Sequence, residues 1–347
     1  MLSDTVNTDI KHVTTFELAG MLSVTYRTLI DLCKNPEYSH FKIPKKKGGF
    51  RHIQSPSKDL KKVHDKLKEL LTAKYVKYIP DQVHGVRTSF ENQTRNIRTN
   101  ALPHVNRKYL LNIDLTDFYP SIKSATVYRM FNSSPFNLNE DMAACLTLLT
   151  TYNKCLPIGS PCSPIIANFV CIEMDKEIQE FCGRQQFVYT RYVDDLTFSS
   201  HRKFSSYDID KITAVFDRYG FIINQSKFRV SGPYGAKYVT GIKVNEKINI
   251  DRKYIRHIRA ILHDCKMNGL SDAKYNFEKS RNDYIKDVQH FSNIIKGKIE
   301  FVGHVRGRED NIYLKLYDSY KKLFADYLPI VFESQVNTDK INEILND

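Results

Sequence analysis

FVYTRYVDDLTFSS, residues 187–200, is the stretch that decides the fold. FVYTRYV and LTFSS are rich in β-branched and aromatic residues and read as strands. Asp194 and Asp195 fall where a tight turn must join them. Adjacent carboxylates repel each other, and the one local cation available to answer them is Arg191. Divalent cations would neutralise the pair. Mg²⁺ takes oxygen ligands, usually one or two carboxylates together with phosphate oxygens of a substrate.

Such a hairpin needs another carboxylate beside it, and LNIDLTDFYPSI (111–122) supplies one. YLLNIDL reads as a strand with Asp114 near its end, followed by Asp117 and the pair Phe118–Tyr119. Side chains alternate along a strand, so Asp114 faces opposite to Ile113 and Leu115, which can enter a core. The expectation is that Asp114 and Asp194 meet across neighbouring strands and hold two metal ions. Such ions would clamp the attacking and leaving oxygens of a phosphoryl transfer.

A chain of 347 residues can bury a large core and hold two or three subdomains. Lys and Arg number 52 against 39 acidic residues, a formal charge of +13 that points to a polyanionic partner, nucleic acid before membrane. The longest apolar candidate, IIANFVCIEM, is too short to span a bilayer and carries a glutamate. The opening MLSDTVNTDIKHV has neither the basic nor the apolar region of a secretory signal. Seven cysteines with no CxxC fit free thiols in a reducing cytoplasm and argue against zinc. With 21 Tyr and 20 Phe, rings are available for stacking on bases or sugars.

Residues 14–34 read as two helices, the first capped by Thr14 or Thr15. They form either a short helical cap, domain 1–40, or a DNA-reading helix-turn-helix. FKIP and FRHIQ read as a hairpin whose KKKGG tip presents cations, and 60–75 as an amphipathic helix. Residues 84–104, with Arg87, Arg95 and Arg98, read as a loop and short helix able to contact a nucleic-acid backbone. A helix is expected to restart at Ser121 or Ser124, and another to cover 139–152. LPIGSPCSP leads into one long helix with the stripe Ile166, Phe169, Val170, Ile178 and Phe181. A helix over 207–219 ends at Gly220, and strand-like segments follow. Near 247–252 the texture turns helical and basic, which separates a domain 41–250 from a domain 251–347.

This order of segments resembles a reverse transcriptase, and within that class a bacterial retron reverse transcriptase. The resemblance covers about residues 40–330. It rests on GGFR (48–51), IDLTDFYPSI (113–122), LPIGSPCSP (156–164), YVDD (192–195), YGFIINQSK (219–227) and VTG (239–241). NALPH (100–104) fits the NAxxH element that retron enzymes carry, and VTG their second signature. Two departures stand out. Ile158 occupies a position where many relatives have Gln, which implies altered nucleotide handling, and Val193 replaces the commoner Ala of YxDD.

The resemblance implies an α+β right-hand polymerase fold: fingers and an antiparallel palm sheet backed by helices in 41–250, and a helical thumb with C-terminal tail in 251–347. It implies that Asp114 and Asp194 ligate two Mg²⁺, with Asp195 supporting and the Leu115 carbonyl as a further ligand. Lys47 (or Lys45 or Lys46) and Arg51 would hold a deoxynucleoside triphosphate. Asp117, Phe118, Tyr119, Ile158 and Gly159 would complete that site, with Tyr119 blocking a ribose 2′-OH. Lys227 would protonate pyrophosphate. Asn100, His104, Val239, Thr240, Gly241 and Arg306 would contact RNA. Implied partners are a cognate structured non-coding RNA, its branched DNA product and an effector on a separate polypeptide, in the bacterial cytoplasm and with no membrane. Another bacterial reverse transcriptase, or a scaffold that binds nucleic acid without chemistry, remain as alternatives.

Overall fold

The computed structural model describes residues 12–45, 48–86, 94–281 and 284–327. The chain divides into two compact units, Met1–Ile248 and Asn249–Asp347.

The first unit opens with helices α1 (Thr15–Met21) and α2 (Tyr26–Lys34). Thr14 caps α1 in a reciprocal box with Glu17. Leu18, Leu22, Leu29 and Cys33 turn inward against a later helix, α7 (Glu140–Thr150), where Cys33 Sγ lies 3.7 Å from Cys145 Sγ. Strands β1 (Tyr38–Pro44) and β2 (Phe50–Pro56) form the expected antiparallel hairpin. Helix α3 (Lys58–Tyr75) then buries Leu60, Val63, Leu67 and Leu71 on one face.

The central sheet contains β3 (Tyr109–Thr116), β4 (Val188–Tyr192), β5 (Asp195–Ser200), β6 (Ile222–Ile223) and β7 (Arg229–Ser231). Its order is β4-β5-β3-β6, β7 also pairs with β3, and every pairing is antiparallel. Along β3, Leu111, Ile113 and Leu115 enter the core while Asn112 and Asp114 take the other face. Behind the sheet lie α8 (Ser163–Val170), α9 (Ile172–Gln185) and α10 (Ser206–Arg218), which contribute Ile166, Phe169, Ile178 and Phe216. Each such side chain contributes about 1.5–3 kcal/mol by leaving water.

Two expectations need adjustment, and the helix restart expected at Ser121 or Ser124 is found at Ser124. The single long helix after LPIGSPCSP is two helices divided at Cys171, and Val170 and Phe181 of its stripe are only partly buried. Between Asp117 and Asn132 there is a one-turn helix, α5 (Phe118–Ser121), and the longer helix α6 restarts at Ser124 (Ser124–Asn132). The segment FIINQSKFRVSG is interrupted by a turn at Asn224–Phe228 that separates β6 from β7.

Helix α4 (Ile97–Ala101) runs into a 3₁₀ turn at Leu102–His104. It places His104 against the face of the sheet that carries Asp195, where one ring nitrogen meets Ser199 Oγ at 2.7 Å and the other meets Thr190 Oγ1 at 2.8 Å. Strands β8 (Tyr238–Val239) and β9 (Ile242–Lys243) form a small hairpin turning at Thr240 (φ 46°) and Gly241 (φ 83°). The second unit is helical among the described residues. Helices α11 (Arg252–Arg281, kinked at Gly269), α12 (Val288–Arg306) and α13 (Asn311–Leu323) pack around Ile258, Phe291, Ile295, Ile299, Leu316 and Tyr320. Among the described residues no helix is long and apolar enough to cross a membrane.

Burial drives the His104 imidazole down from 6.5 to about 3, so it stays neutral in the folded protein. As pH falls below 6.5 the unfolded chain takes up this proton first, so stability present above pH 6.5 is lost on acidification. Urea unfolding at pH 7 and pH 5 should show His104 contributing a loss of about 2 kcal/mol. His104→Gln should lack that component, and equal pH sensitivity of the two proteins would contradict the assignment.

Candidate active site

The β4–β5 hairpin closes with Tyr192 paired to Asp195, so Val193 and Asp194 form a two-residue turn. Val193 has φ 61° there, a region that costs a β-branched residue about 1–3 kcal/mol. Asp194 therefore projects from the turn itself, and its carbonyl accepts from Leu115 N at 3.2 Å. In the sheet register the residue opposite Asp114 is Asp195 and not Asp194. Residues paired this way put their side chains on one face about 5 Å apart. All three carboxylates nonetheless line one cavity of about 710 Å³.

Electrostatics mark the cluster. Asp195 opens onto the cavity but is crowded by protein; burial first, then Asp194 and Asp114, push its carboxyl up to about 6. Asp194 is raised by burial and by Asp114, with Lys227 and Arg51 pulling the other way. Lys227 Nζ donates to Asp114 Oδ1 at 2.7 Å, and Asn224 Nδ2 donates to Oδ2 at 3.4 Å. Partial desolvation disfavours the Lys227 ammonium, yet its bond to Asp114 and the nearby carboxylates raise it overall. Arg191, the expected local partner of the acidic pair, points away from it to Asp175.

Several expected substrate residues converge on the same cavity. Arg51, Leu115, Asp117, Phe118, Tyr119 and Ile158 line it, as does Lys45, one of the three lysines expected there; Phe50, His52 and Gln54 also line it and were not singled out from the sequence. Hairpin register is the signal that would have found them, because Gln54 N donates to the Ile158 carbonyl at 2.7 Å and ties β2 to the LPIGSP loop. Gly159 sits at φ 122°, where an added Cβ would lie 2.8 Å from the Gln54 carbonyl oxygen, so this close approach requires glycine. Phe118 is buried and stacks on Phe221 at 5.4 Å, which makes its ring a wall support. Burial and the Asp194 charge raise the Tyr119 phenol, which keeps it protonated. Lys47 and Lys46 lie outside the described residues, as does Arg87.

The expected RNA contacts are largely not on the surface. Asn100, His104 and Val239 are buried, and His104 uses both ring nitrogens on Ser199 and Thr190. Arg306 binds Asp310 through Nε and Nη2 and also reaches Asn249, so its guanidinium is committed inside the second unit. Thr240 and Gly241 do line a second cavity of about 620 Å³, which borders Asp114, Asp195 and Lys227 and also holds Asn112, Arg229 and Tyr238.

The carboxylates fit a hard divalent cation, which takes oxygen ligands: Asp114, Asp194 and Asp195 line one cavity, with the Lys227 ammonium now bonded to Asp114. Among the described residues no three His, Cys, Asp or Glu side chains are set to hold a metal by themselves.

This fold and site define a class of nucleotide-transferring proteins. The family model "Reverse transcriptase (RNA-dependent DNA polymerase)" matches residues 43–244. The Retron Ec86 reverse transcriptase of Escherichia coli is 36% identical over 171 residues, 49% of this chain and 53% of that one. The Retron Ec73 reverse transcriptase of Escherichia coli is 33% identical over 268 residues, 72% of this chain and 83% of that one. The chain belongs to the retron reverse transcriptase family. It spans about half the length of the first retron relatives it matches. Among solved structures, a telomerase from Candida albicans in complex with a TWJ fragment of telomeric RNA gives a TM-score of 0.47 at 11% identity, covering 91% of this chain and 67% of that one. Family membership implies use of a divalent metal.

Asp194→Asn removes one charge from the cluster. In EDTA the variant should melt higher than the parent, by roughly 2–4 °C for each kcal/mol of repulsion relieved. Added Mg²⁺ should then raise the parent's melting temperature and leave the variant's nearly unchanged. Equal Mg²⁺ responses would remove Asp194 from the metal site.

Proposed function

We propose that this chain is an RNA-directed DNA polymerase that copies part of its own structured non-coding RNA. It starts from a guanosine 2′-OH and yields a branched RNA–DNA within a retron antiphage system. Residues 41–250 supply fingers and palm, 251–347 the helical thumb and tail, and 1–40 a helical cap. The observation that carries this reading is the convergence of Asp114, Asp194 and Asp195 on one open cavity, with Arg51 and Tyr119 also on its lining.

The chemistry is in-line attack of the priming hydroxyl on the α-phosphorus, with the bond to the β-phosphate breaking and pyrophosphate leaving. Asp114 and Asp194 would hold the cations, with Asp195 in support and the Leu115 carbonyl as a further ligand. When bound, two Mg²⁺ would lower the pKa of the attacking hydroxyl and neutralise charge on the leaving pyrophosphate. Arg51, aided by Lys45 or a neighbouring lysine, orients the triphosphate. Lys227, whose ammonium bonds Asp114, would give a proton to pyrophosphate. Positioning and charge compensation are most of what the protein has to supply. Thr240 and Gly241, at the second cavity, are the surviving candidates for RNA contact. A separate effector protein is the remaining partner.

Two experiments test this. Primer extension with Mg²⁺ should fall by roughly 10²–10³-fold in Asp194→Asn, the loss expected when one charge-stabilising group goes. Sequencing nucleic acid co-purified from the native host should return one defined RNA joined to DNA through a 2′–5′ branch. Unchanged extension sinks the active-site reading, and heterogeneous linear nucleic acid sinks the retron priming.

Tyr119 sets sugar choice in this reading. Tyr119→Val should raise the ratio of ribonucleotide to deoxyribonucleotide incorporation by about 10–200-fold, the span over which a pocket's shape discriminates. A ratio equal to the parent's would assign that exclusion to another residue.

A further inference from the structure

Beneath the carboxylate turn lies a fully buried charged group that the chemistry above does not use. The Arg191 side chain is completely buried, and so is that of its partner Asp175 on α9. Nε donates to Asp175 Oδ1 at 2.8 Å and Nη2 to Oδ2 at 2.6 Å. Tyr189 Oη donates to the same carboxylate at 2.7 Å. The remaining nitrogen, Nη1, donates to Asn168 Oδ1 at 3.0 Å and to the Val193 carbonyl at 3.2 Å. Asn168 Nδ2 in turn donates to the Gly85 carbonyl at 3.2 Å. Gly85 lies against the turn, where an added Cβ would meet Val193 Cγ2 at 2.8 Å and Val193 N at 2.9 Å.

A buried ion pair seldom stabilises a fold more than apolar residues of the same volume would. Asp175 already balances the Arg191 charge, so the guanidinium is not there to offset the active-site carboxylates. What it does have is a directed donor on the one residue of the turn held at positive φ. Strained backbone persists only where its surroundings over-determine it. We infer that Arg191 is a positioning residue for the carboxylate turn: with Asn168 and Gly85 it holds Val193 in its left-handed conformation and so aims Asp194 at Asp114. The inference rests on the metal-holding role given to Asp194 above.

The test uses full-length protein. Arg191→Met combined with Asp175→Leu removes both charges together and so leaves no lone buried ion. Arg191→Lys is the second variant, because an ammonium can keep Asp175 but cannot also fork to the Val193 carbonyl. The Val193 methyl signals in a methyl-labelled sample report the turn without any ligand. They should shift or broaden in whichever variant folds. The dissociation constant for Mn²⁺, read by electron paramagnetic resonance, should rise about tenfold. Turnover should fall about a hundredfold, as expected for a misplacement near 1 Å. KM for the deoxynucleotide should change less than about threefold, because the lost contact is not one to the nucleotide. Adding Val193→Gly should recover part of the turnover, since glycine adopts positive φ without being held. Unshifted Val193 methyls, or no recovery with glycine, overturn the inference. A parent protein that does not extend a primer instead defeats the polymerase reading, and the methyl spectrum still decides whether Arg191 holds the turn.

Discussion

Like charges forced into register are the constraint on which the rest depends. Asp114 and Asp195 are paired across β3 and β5, and Asp194 sits in the adjoining turn. Left alone, such a cluster would drive the strands apart or take up protons; burial first, and the neighbouring carboxylates after it, shift Asp194 and Asp195 upward. The strands stay because Leu111, Ile113, Leu115, Leu196 and Phe198 are locked into a core shared with α8, α9 and α10. The apolar side of the sheet thus holds the charges on its other side in place.

Much of this was legible in the chain. Alternation along YLLNIDL placed Asp114 opposite Ile113 and Leu115, and the aromatic and β-branched flanks of the acidic pair marked a hairpin. The hairpin's register was not legible. A turn on Asp194–Asp195 was the natural expectation, whereas the structure turns on Val193–Asp194 and sets Asp195 against Asp114. Valine at positive φ is a signal against a turn, so local propensity argued for the wrong register. Tertiary support from Arg191, Asn168 and Gly85 overrides it.

The polar residues misplaced by the sequence share one cause. NALPH closes a stretch, 84–104, that is polar and rich in arginine, which locally describes a surface loop and short helix. His104 is buried because Thr190 and Ser199, nearly a hundred positions later, come to meet its ring, and Thr190 also bonds the Asn100 backbone carbonyl. Arg191 looked like the natural counter-charge for Asp194 and Asp195. Yet Tyr192 is the residue paired with Asp195, so its neighbour Arg191 must face the other side of the sheet. Partners supplied from distant segments leave no trace in local composition.

The hairpin therefore separates two kinds of electrostatics. Below it, Arg191 and Asp175 are closed off from solvent with their hydrogen bonds shared among Tyr189, Asn168 and Val193, a neutral arrangement that neither attracts nor repels a ligand. Above it, Lys227 is bonded to Asp114, while Asp194 and Asp195 line an open cavity shared with Lys45 and Arg51. The lower set can be rigid because it is saturated, and the upper set can bind because it is not. Joining the two through the backbone of a single strained valine ties the cavity carboxylates to a frame whose own hydrogen bonds are already made, and a fixed frame is what preorganisation demands.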